Sequence, residues 1–265
     1  MRLFAIDLDG TCINSRQQIT GRTLGALRRA SEAGIEVVPT TGRTRSCLPE
    51  ELRKEPYIRY LITSNGARVT DTKTGKTVYQ APVPTEEAMS LLAEGTKQKL
   101  GVTAHIDDES YVQGRLLNWI GRRIYRESAA NTLCVKDIRA SVDGTRVSFD
   151  ELQFFLFTKG AMQRARKLLS GYDLTATFGP QYVEVFSKEA NKGRALSVLA
   201  GHLGIPQAEV ACIGDGENDV FMFAASGLTF AMGNAVDSLK ARADHVVSTN
   251  DLDGVAEAIE NYLIL

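Results

Sequence analysis

Two aspartates stand two residues apart, directly after a short apolar run near the start of the chain. Asp7 and Asp9 belong to the segment DLDGT at 7–11, which follows LFAI at 3–6. Such a run is typical of a buried parallel strand, and open α/β sheets bind ligands at the carboxyl ends of their strands. One carboxylate there can attack phosphorus while its neighbour handles protons, provided that a divalent cation offsets their repulsion. The spacing therefore favours metal-assisted phosphoryl transfer.

Two other interpretations of these aspartates are open at this point. Asp and Gly are ordinary turn residues, so an acidic turn between a strand and a loop fits as well. A calcium loop of the EF-hand type fits less well, because it needs glycine at its sixth position, and Gly10 is the fourth residue counted from Asp7. Partners elsewhere in the chain must decide between these alternatives.

Polar loops also follow the next two predicted strands. TTGR at 40–43 follows the apolar segment 35–39, and SNGA at 64–67 follows the segment 60–63. Hydroxyl groups, a guanidinium and backbone amides near a helix start can all face an anion. Each motif alone is also common turn chemistry. Their occurrence at successive predicted strand ends favours an anion site.

A lysine and an acidic loop recur near the end of the chain. The segment NKG at 191–193, which contains Lys192, begins a predicted helix that runs to about Leu203. A predicted strand over 210–213 leads into an acidic loop with Asp215 and Asp219. A lysine at a helix start is electrostatically unhelpful, so a role as counter-charge to an anion is attractive beside the alternative of an exposed side chain. The aspartates fit a solvated turn, but they also supply the oxygen ligands that Mg²⁺ prefers.

The order of helix and strand signals predicts one discontinuous domain and one inserted domain. Residues 1–81 and 187–265 are predicted to form a parallel-sheet domain, with residues 82–186 as a separate α/β unit. The predicted flanking elements are strands at 3–6, 35–39, 60–63 and 210–213 and helices at 21–33, 48–54 and 191–203, with 60–63 as a third parallel strand. The predicted inserted elements are helices at 85–100, 115–130 and 161–169 and strands at 102–106, 110–113, 152–158, 174–178 and 182–186.

Composition narrows the class of ligand. The chain has 265 residues, a net charge of −1 and no long basic run, which disfavours nucleic acid and membrane surfaces and favours a small-molecule partner. Its four cysteines lie far apart and form no CxxC pair, so neither a zinc site nor a disulfide framework is indicated. Without a signal-like stretch or an apolar run of membrane length, we expect a cytoplasmic protein.

Together, the motifs identify a family resemblance. The set resembles the Cof-type branch of the haloacid dehalogenase-like (HAD) phosphatases and consists of DLDGT at 7–11, TTGR at 40–43, SNGA at 64–67, NKG at 191–193, GDGENDVFM at 214–222 and AMGNA at 231–235. The resemblance implies an α/β fold with a Rossmann-like parallel-sheet core and an inserted α+β cap. It also implies Mg²⁺ as cofactor and an aspartate nucleophile.

The resemblance further implies a role for each catalytic residue. Asp7 would attack the phosphoryl group, and Asp9 would protonate the leaving group and then activate water. Thr41 would hydrogen-bond the phosphoryl oxygens, and Lys192 would hold both the nucleophile and the phosphate.

A metal set and a phosphate set follow from the same resemblance. The implied metal residues are Asp7, Asp9 through its backbone carbonyl, Asp215 and Asp219. The implied phosphate or substrate residues are Gly10, Gly42, Arg43, Asn65 and Asn218.

These roles predict an Mg²⁺-dependent phosphatase, a phosphoric monoester hydrolase acting on a small phosphorylated metabolite such as a sugar phosphate. A phosphotransferase or phosphomutase would use the same aspartate chemistry and is the first alternative. A catalytically silent phosphometabolite-binding protein is the second, and it is disfavoured because Asp7, Asp9, Lys192 and Asp215 are all present.

Overall fold

The computed structural model describes residues 1–125, 129, 131–143 and 146–264. It contains two compact units. The core unit comprises Met1–Gly42, Glu50–Tyr79 and the chain from Asn191 onward, and the inserted unit comprises Arg43–Pro49 and Gln80–Ala190. The sequence did not indicate that segment 43–49 groups with the inserted unit. The division into 1–81, 82–186 and 187–265 stays a prediction.

The strands and helices follow one another in this order. The strands are β1 (Leu3–Ile6), β2 (Glu36–Pro39), β3 (Tyr60–Thr63), β4 (Arg68–Asp71), β5 (Lys76–Gln80), β6 (Gly101–Ile106), β7 (Glu109–Gln113), β8 (Leu133–Val135), β9 (Phe149–Phe155), β10 (Thr175–Phe178), β11 (Tyr182–Phe186), β12 (Val210–Gly214), β13 (Leu228–Ala231) and β14 (His245–Val246). The α-helices are α1 (Gly21–Glu32), α2 (Glu50–Arg53), α3 (Thr85–Lys97), α4 (Arg115–Tyr125), α5 (Ile138–Ser141), α6 (Ala161–Leu169), α7 (Lys192–His202), α8 (Val220–Ala224), α9 (Asp237–Lys240) and α10 (Gly254–Ala258).

A parallel sheet forms the centre of the core unit. Its strand order is β14-β13-β12-β1-β2, and every pairing in it is parallel. All four residues of β1 are buried, because a central parallel strand is covered on both faces and is therefore apolar along its whole length. Ile6 pairs with Ile213 on one side and with Pro39 on the other. The loops after β1, β2 and β12 consequently begin at the same edge of the sheet.

The third predicted parallel strand differs from the prediction. Thr40 and Ile62 form one isolated parallel bridge, but β3 pairs along its length with β4 in antiparallel fashion, in a sheet of order β3-β4-β5. The chain reverses after β3 because Ser64, Asn65 and Gly66 adopt φ values of 48°, 55° and 92°. These left-handed conformations turn the backbone directly into β4.

The inserted unit is built on a mostly antiparallel sheet. Its strand order is β10-β11-β9-β6-β7-β8, with β7 and β8 parallel. Val102, Ala104 and Phe154 point to one face and pack with apolar residues of α3 and α6. Helix α4 begins at Arg115, as predicted. Residues 126–128 and 130 of the predicted helix lie outside the described residues. The predicted class, an α/β fold with a parallel-sheet core and an inserted α+β unit, is confirmed.

No helix among the described ranges combines the length and the apolar character needed to cross a membrane. The cytoplasmic location stays a prediction.

The turn after β3 packs tightly against the start of α7. A Cβ built on Gly66 would lie 2.3 Å from the backbone carbonyl of Asn191, the N-cap of α7. Gly34, in the turn between α1 and β2, has a similar φ of +86°, but a Cβ built there meets nothing within 4 Å. Comparing substitutions at these two glycines therefore separates the cost of backbone strain from the cost of the steric contact.

We predict that Gly66→Ala destabilises the protein more than Gly34→Ala. The left-handed backbone alone costs an alanine about 1 kcal/mol, and the contact with Asn191 adds about 1–3 kcal/mol. Urea unfolding of both variants, at an unchanged m value, measures the difference in the free energy of unfolding. Equal losses in the two variants would show that the turn and α7 are not tightly packed.

Candidate active site

Two loops and one helix start bring charged side chains to the carboxyl edge of the parallel sheet. Asp7 directly follows β1, Asp215 directly follows β12, and Lys192 is the first residue of α7. The Asn191 side chain accepts the Arg194 backbone N–H at 2.7 Å and caps this helix. The cap makes Lys192 the first helical residue and fixes the start of its side chain. Lys192 is 1% exposed, which excludes the interpretation as a solvated lysine.

Lys192 forms two buried ion pairs. Its Nζ donates to Asp7 Oδ1 at 2.6 Å and to Asp219 Oδ1 at 2.7 Å, and the Asp219 side chain has no exposed surface. Burial by itself would lower the pKa of Lys192, but the charges of Asp219 and Asp7 outweigh it and raise this pKa. The lysine therefore stays a cation and holds two carboxylates in fixed positions.

Asp219 links the lysine to the acidic loop. Its Oδ2 accepts the backbone N–H groups of Asp215 at 2.9 Å and Gly216 at 3.0 Å. A Cβ on Gly214 would lie 2.4 Å from the same oxygen, so the loop backbone can approach this carboxylate only because residue 214 is glycine. Asp219 thus orients the backbone that carries Asp215.

Asp215 faces the loop that follows β1. Thr11 Oγ1 donates to its Oδ1 at 2.9 Å. A Cβ on Gly10, whose φ is +81°, would lie 2.3 Å from its Oδ2. Partial burial raises the pKa of Asp215, although the hydrogen bond from Thr11 acts in the opposite direction. Gly10 is therefore required for the close approach of the two acidic loops.

The Asp7 carboxyl lies in an environment that opposes its ionisation. Burial raises the pKa of Asp7 well above its usual value, the Lys192 cation lowers it, and the charges of Asp219 and Asp215 raise it again. Three carboxylates share one ammonium group, so the cluster keeps an excess of negative charge when all of them are ionised. An additional cation would favour the ionised forms.

The donor set suits a divalent cation of the hard type. Among the described residues, the acidic groups close enough to hold a metal are Asp7, Asp215 and Asp219, each with a ligand atom within 4.8 Å of the others. All three offer carboxylate oxygens, which are the ligands that Mg²⁺ prefers. Asp219 already accepts three hydrogen bonds through its two oxygens, whereas a carboxylate has about four acceptor positions. Asp7 and Asp215 are therefore the better placed ligands.

The remaining predicted catalytic residues lie in the loops after β1 and β2. Asp9 is exposed and forms an isolated backbone bridge with Ile13. Thr41 is 1% exposed, and its backbone N–H donates to Ile62 O at 2.9 Å. Their predicted roles in proton transfer and phosphate binding stay predictions, as do the roles predicted for the other site residues.

The predicted phosphate residues of the core unit form a contiguous group. Asn65 N–H donates to Thr41 O at 3.1 Å, and Asn218 Nδ2 donates to Asn65 Oδ1 at 3.2 Å. A Cβ on Gly42 would lie 3.1 Å from Asn65 Oδ1. The predicted residue Arg43 belongs to the inserted unit, where its Nη1 donates to Cys47 O at 3.3 Å.

A pocket in the inserted unit was not predicted from the sequence. Its volume is about 430 Å³, and its lining includes Leu117, Ile120, Phe155, Phe157 and Tyr182. The rings of the two phenylalanines stack with centroids 5.8 Å apart. None of the described lining residues is charged. Alternating side chains of β7 (Ser110 and Val112) and of β9 (Gln153 and Phe155) line this pocket. A strand pattern in the sequence does not reveal which face of a sheet stays open.

Comparisons with known proteins agree with the motifs. The family model of haloacid dehalogenase-like hydrolases matches residues 4–259. The chain is 31% identical to phosphatase YwpJ of Bacillus subtilis, over 99% of this chain and 100% of that protein. It is 28% identical to the 5-amino-6-(5-phospho-D-ribitylamino)uracil phosphatase YcsE of the same organism, over 100% of this chain and 96% of that protein.

A comparison with a solved structure indicates the same family. A haloacid dehalogenase-like hydrolase from Bacteroides thetaiotaomicron superposes with a TM-score of 0.87 and 28% identity, over 98% of each chain. The predicted enzyme class, a phosphoric monoester hydrolase, is confirmed. The chain therefore belongs to the haloacid dehalogenase-like hydrolases and, within them, to the Cof-type phosphatases that its motifs resemble.

Proposed function

We propose that the protein is an Mg²⁺-dependent phosphatase that hydrolyses a small organic phosphate through an aspartyl-phosphate on Asp7. The observation that carries this proposal is the buried Lys192, which contacts Asp7 and Asp219 at 2.6 and 2.7 Å. Phosphoryl transfer depends mainly on positioning and charge neutralisation. A buried cation that touches the nucleophile supplies both.

The first step transfers the phosphoryl group to the protein. A carboxylate oxygen of Asp7 forms a bond to phosphorus while the bond between phosphorus and the leaving oxygen breaks. Asp9, in its protonated form, donates a proton to that oxygen and becomes a carboxylate. Thr41 and the amides of its loop donate hydrogen bonds to the phosphoryl oxygens, where negative charge accumulates.

The second step releases inorganic phosphate. Asp9, now a carboxylate, takes a proton from a water molecule as that water attacks phosphorus, and the bond between phosphorus and Asp7 breaks. Lys192 stays protonated throughout and stabilises the departing Asp7 carboxylate. Asp7 and Asp215 would hold Mg²⁺, which when bound neutralises phosphate charge and favours the ionised carboxylates.

The proposed substrate class is a phosphorylated sugar or a related small metabolite in the cytoplasm. The relative YcsE, a 5-amino-6-(5-phospho-D-ribitylamino)uracil phosphatase, supports a small phosphorylated metabolite as the substrate class. Nucleic acids and membranes are not among the proposed partners.

We predict that Asp7→Asn abolishes phosphate release and leaves the protein folded, because an amide is nearly isosteric with the acid but is a poor nucleophile. A panel of phosphorylated metabolites, assayed for inorganic phosphate with and without Mg²⁺, identifies the substrate and the cation requirement. Substantial turnover by the variant would contradict the aspartyl-phosphate. Conversion of a phosphosugar without release of phosphate would instead identify a mutase, and binding without turnover would identify a silent binding protein.

We predict that Asp215→Asn raises the Mg²⁺ concentration required for half-maximal activity, because one charged oxygen ligand becomes a neutral amide. The rate is measured over a range of Mg²⁺ concentrations at saturating substrate. Asp237→Asn is the matched control, because Asp237 is exposed on α9 and outside the acidic cluster. Superimposable Mg²⁺ titrations of the two variants would remove Asp215 from the metal site.

We predict that Lys192→Met lowers the free energy of unfolding by about 3–5 kcal/mol, because two buried carboxylates lose their counter-charge. Lys188→Met makes the same change in an exposed ion pair with Asp173, and its cost should stay below about 1 kcal/mol. Adding Asp219→Asn to Lys192→Met should restore part of the loss, since it removes one uncompensated charge. Chemical denaturation measures all three variants, and similar costs for the two lysines would contradict the buried ion-pair assignment.

A further inference from the structure

One motif of the sequence has no role in the proposed chemistry. The segment AMGNA at 231–235 contains the end of β13 and the turn that follows it, and Asn234 is its polar side chain. Asn234 Nδ2 donates to Gly10 O at 2.7 Å, and its Oδ1 accepts the Asn250 backbone N–H at 2.9 Å. The side chain therefore bridges the loop after β1 and a distant part of the chain.

The turn that carries Asn234 is attached to the acidic loop. Met232 N–H donates to Gly214 O, and Val236 N–H donates to Asp215 O, both at 3.0 Å. These two hydrogen bonds flank Asn234 in the sequence, so the turn cannot shift without disturbing the backbone at Asp215. The backbone on both sides of Asn234 is thus attached to the acidic loop of the active site, and from there the side chain reaches Gly10.

The contact with Asn234 completes the support of one peptide group. Thr11 N–H donates to Leu8 O at 3.2 Å, and Gly10 O, in the same peptide plane, accepts from Asn234. Gly10 has a φ of +81°, and the backbone of glycine is less restricted by its own side chain than that of any other residue. Without Asn234, this peptide is held at its N–H end only. The plane of the Gly10–Thr11 peptide therefore depends on Asn234.

That peptide lies between two residues of the site. Asp9 immediately precedes Gly10 and is exposed. Thr11 follows, and its hydroxyl donates to Asp215. Reorientation of the peptide would consequently move Asp9 away from the leaving oxygen, and a small displacement of an acid lowers the rate of proton transfer.

We propose that Asn234 is a positioning residue that fixes the Gly10–Thr11 peptide and thereby holds Asp9 in place to protonate the leaving group. This inference rests on the proposed phosphatase function. A residue with a purely structural role would affect the turnover of all substrates alike, whereas a residue that positions the acid would not. An acid that serves the leaving group matters most when the leaving oxygen is strongly basic.

The test compares an alkyl phosphate, identified in the metabolite panel, with p-nitrophenyl phosphate, whose aryl oxide leaves without a proton. Asn234→Asp keeps the acceptor for Asn250 N–H but replaces the donor to Gly10 O by a carboxylate oxygen. We expect the ratio of kcat/KM for the alkyl ester to kcat/KM for the aryl ester to fall about tenfold, part of the loss expected when a general acid is removed. Asn234→Ala should change the ratio in the same direction.

Two further variants calibrate this ratio. Asp9→Asn removes the acid itself and should lower the ratio at least as much as the Asn234 variants. Ser238→Asp introduces the same charge on α9, where Ser238 is exposed and takes part in none of the hydrogen bonds that join Asn234 to Gly10 and Asn250 or Asn250 to Ile13. Its ratio should equal that of the wild type. A ratio unchanged in both Asn234 variants, or an equal loss for both esters, would overturn the positioning role.

Amide hydrogen exchange provides a readout without catalysis. Both Asn234 variants should exchange faster than the wild type in a peptide covering residues 8–14, and exchange unchanged in this segment would also overturn the inference. A wild-type protein that releases phosphate from neither ester would overturn the proposed function and, with it, the role in proton donation. An active wild type with an unchanged ester ratio would overturn the role of Asn234 alone.

Discussion

The site depends on one buried cation between two carboxylates. Lys192 is 1% exposed and contacts Asp7 and Asp219, which come from different loops of the sheet edge. Isolated carboxylates would not stay ionised at such depth, because desolvation disfavours the charged form. The ammonium group of Lys192 makes it possible for both carboxylates to be ionised in this buried position. The loop after β1, the acidic loop and the start of α7 therefore form one electrostatic unit.

The same ion pairs explain why the backbone is so constrained around them. Three glycines permit close approaches that a Cβ would prevent: Gly10 beside Asp215, Gly214 beside Asp219 and Gly193 beside the Phe221 carbonyl. Two of these approaches are to the side chains of acidic residues, and the third packs the start of α7, which carries Lys192, against α8. The surplus of carboxylates over ammonium groups that results is the feature that makes a divalent cation a suitable component of this site.

The sequence predicted the features that depend on local pattern. The apolar run before Asp7 is a buried strand, and the helix predicted to begin at residues 191–193 is α7, which carries Lys192. The hairpin of β4 and β5 was not predicted, because β5 is largely exposed and lacks the apolar run that was used to recognise strands. Segment 43–49 groups with the inserted unit through contacts such as Arg45 N–H to Asp108 Oδ1, which join residues 63 positions apart. Local patterns contain no information about such contacts.

The two aspartates of the first motif have the same side chain but opposite environments. Asp7 is buried and is paired with a cation, so its carboxylate has one orientation, as a nucleophile aligned with phosphorus requires. Asp9 is exposed, so water can reach it, as a group that alternately gives and takes a proton requires. Burial orients Asp7, whereas Asp9 lies in an exposed loop that other parts of the fold support. The hydrogen bond from Asn234 to Gly10 supplies that support at the one residue of the motif whose backbone is least restricted.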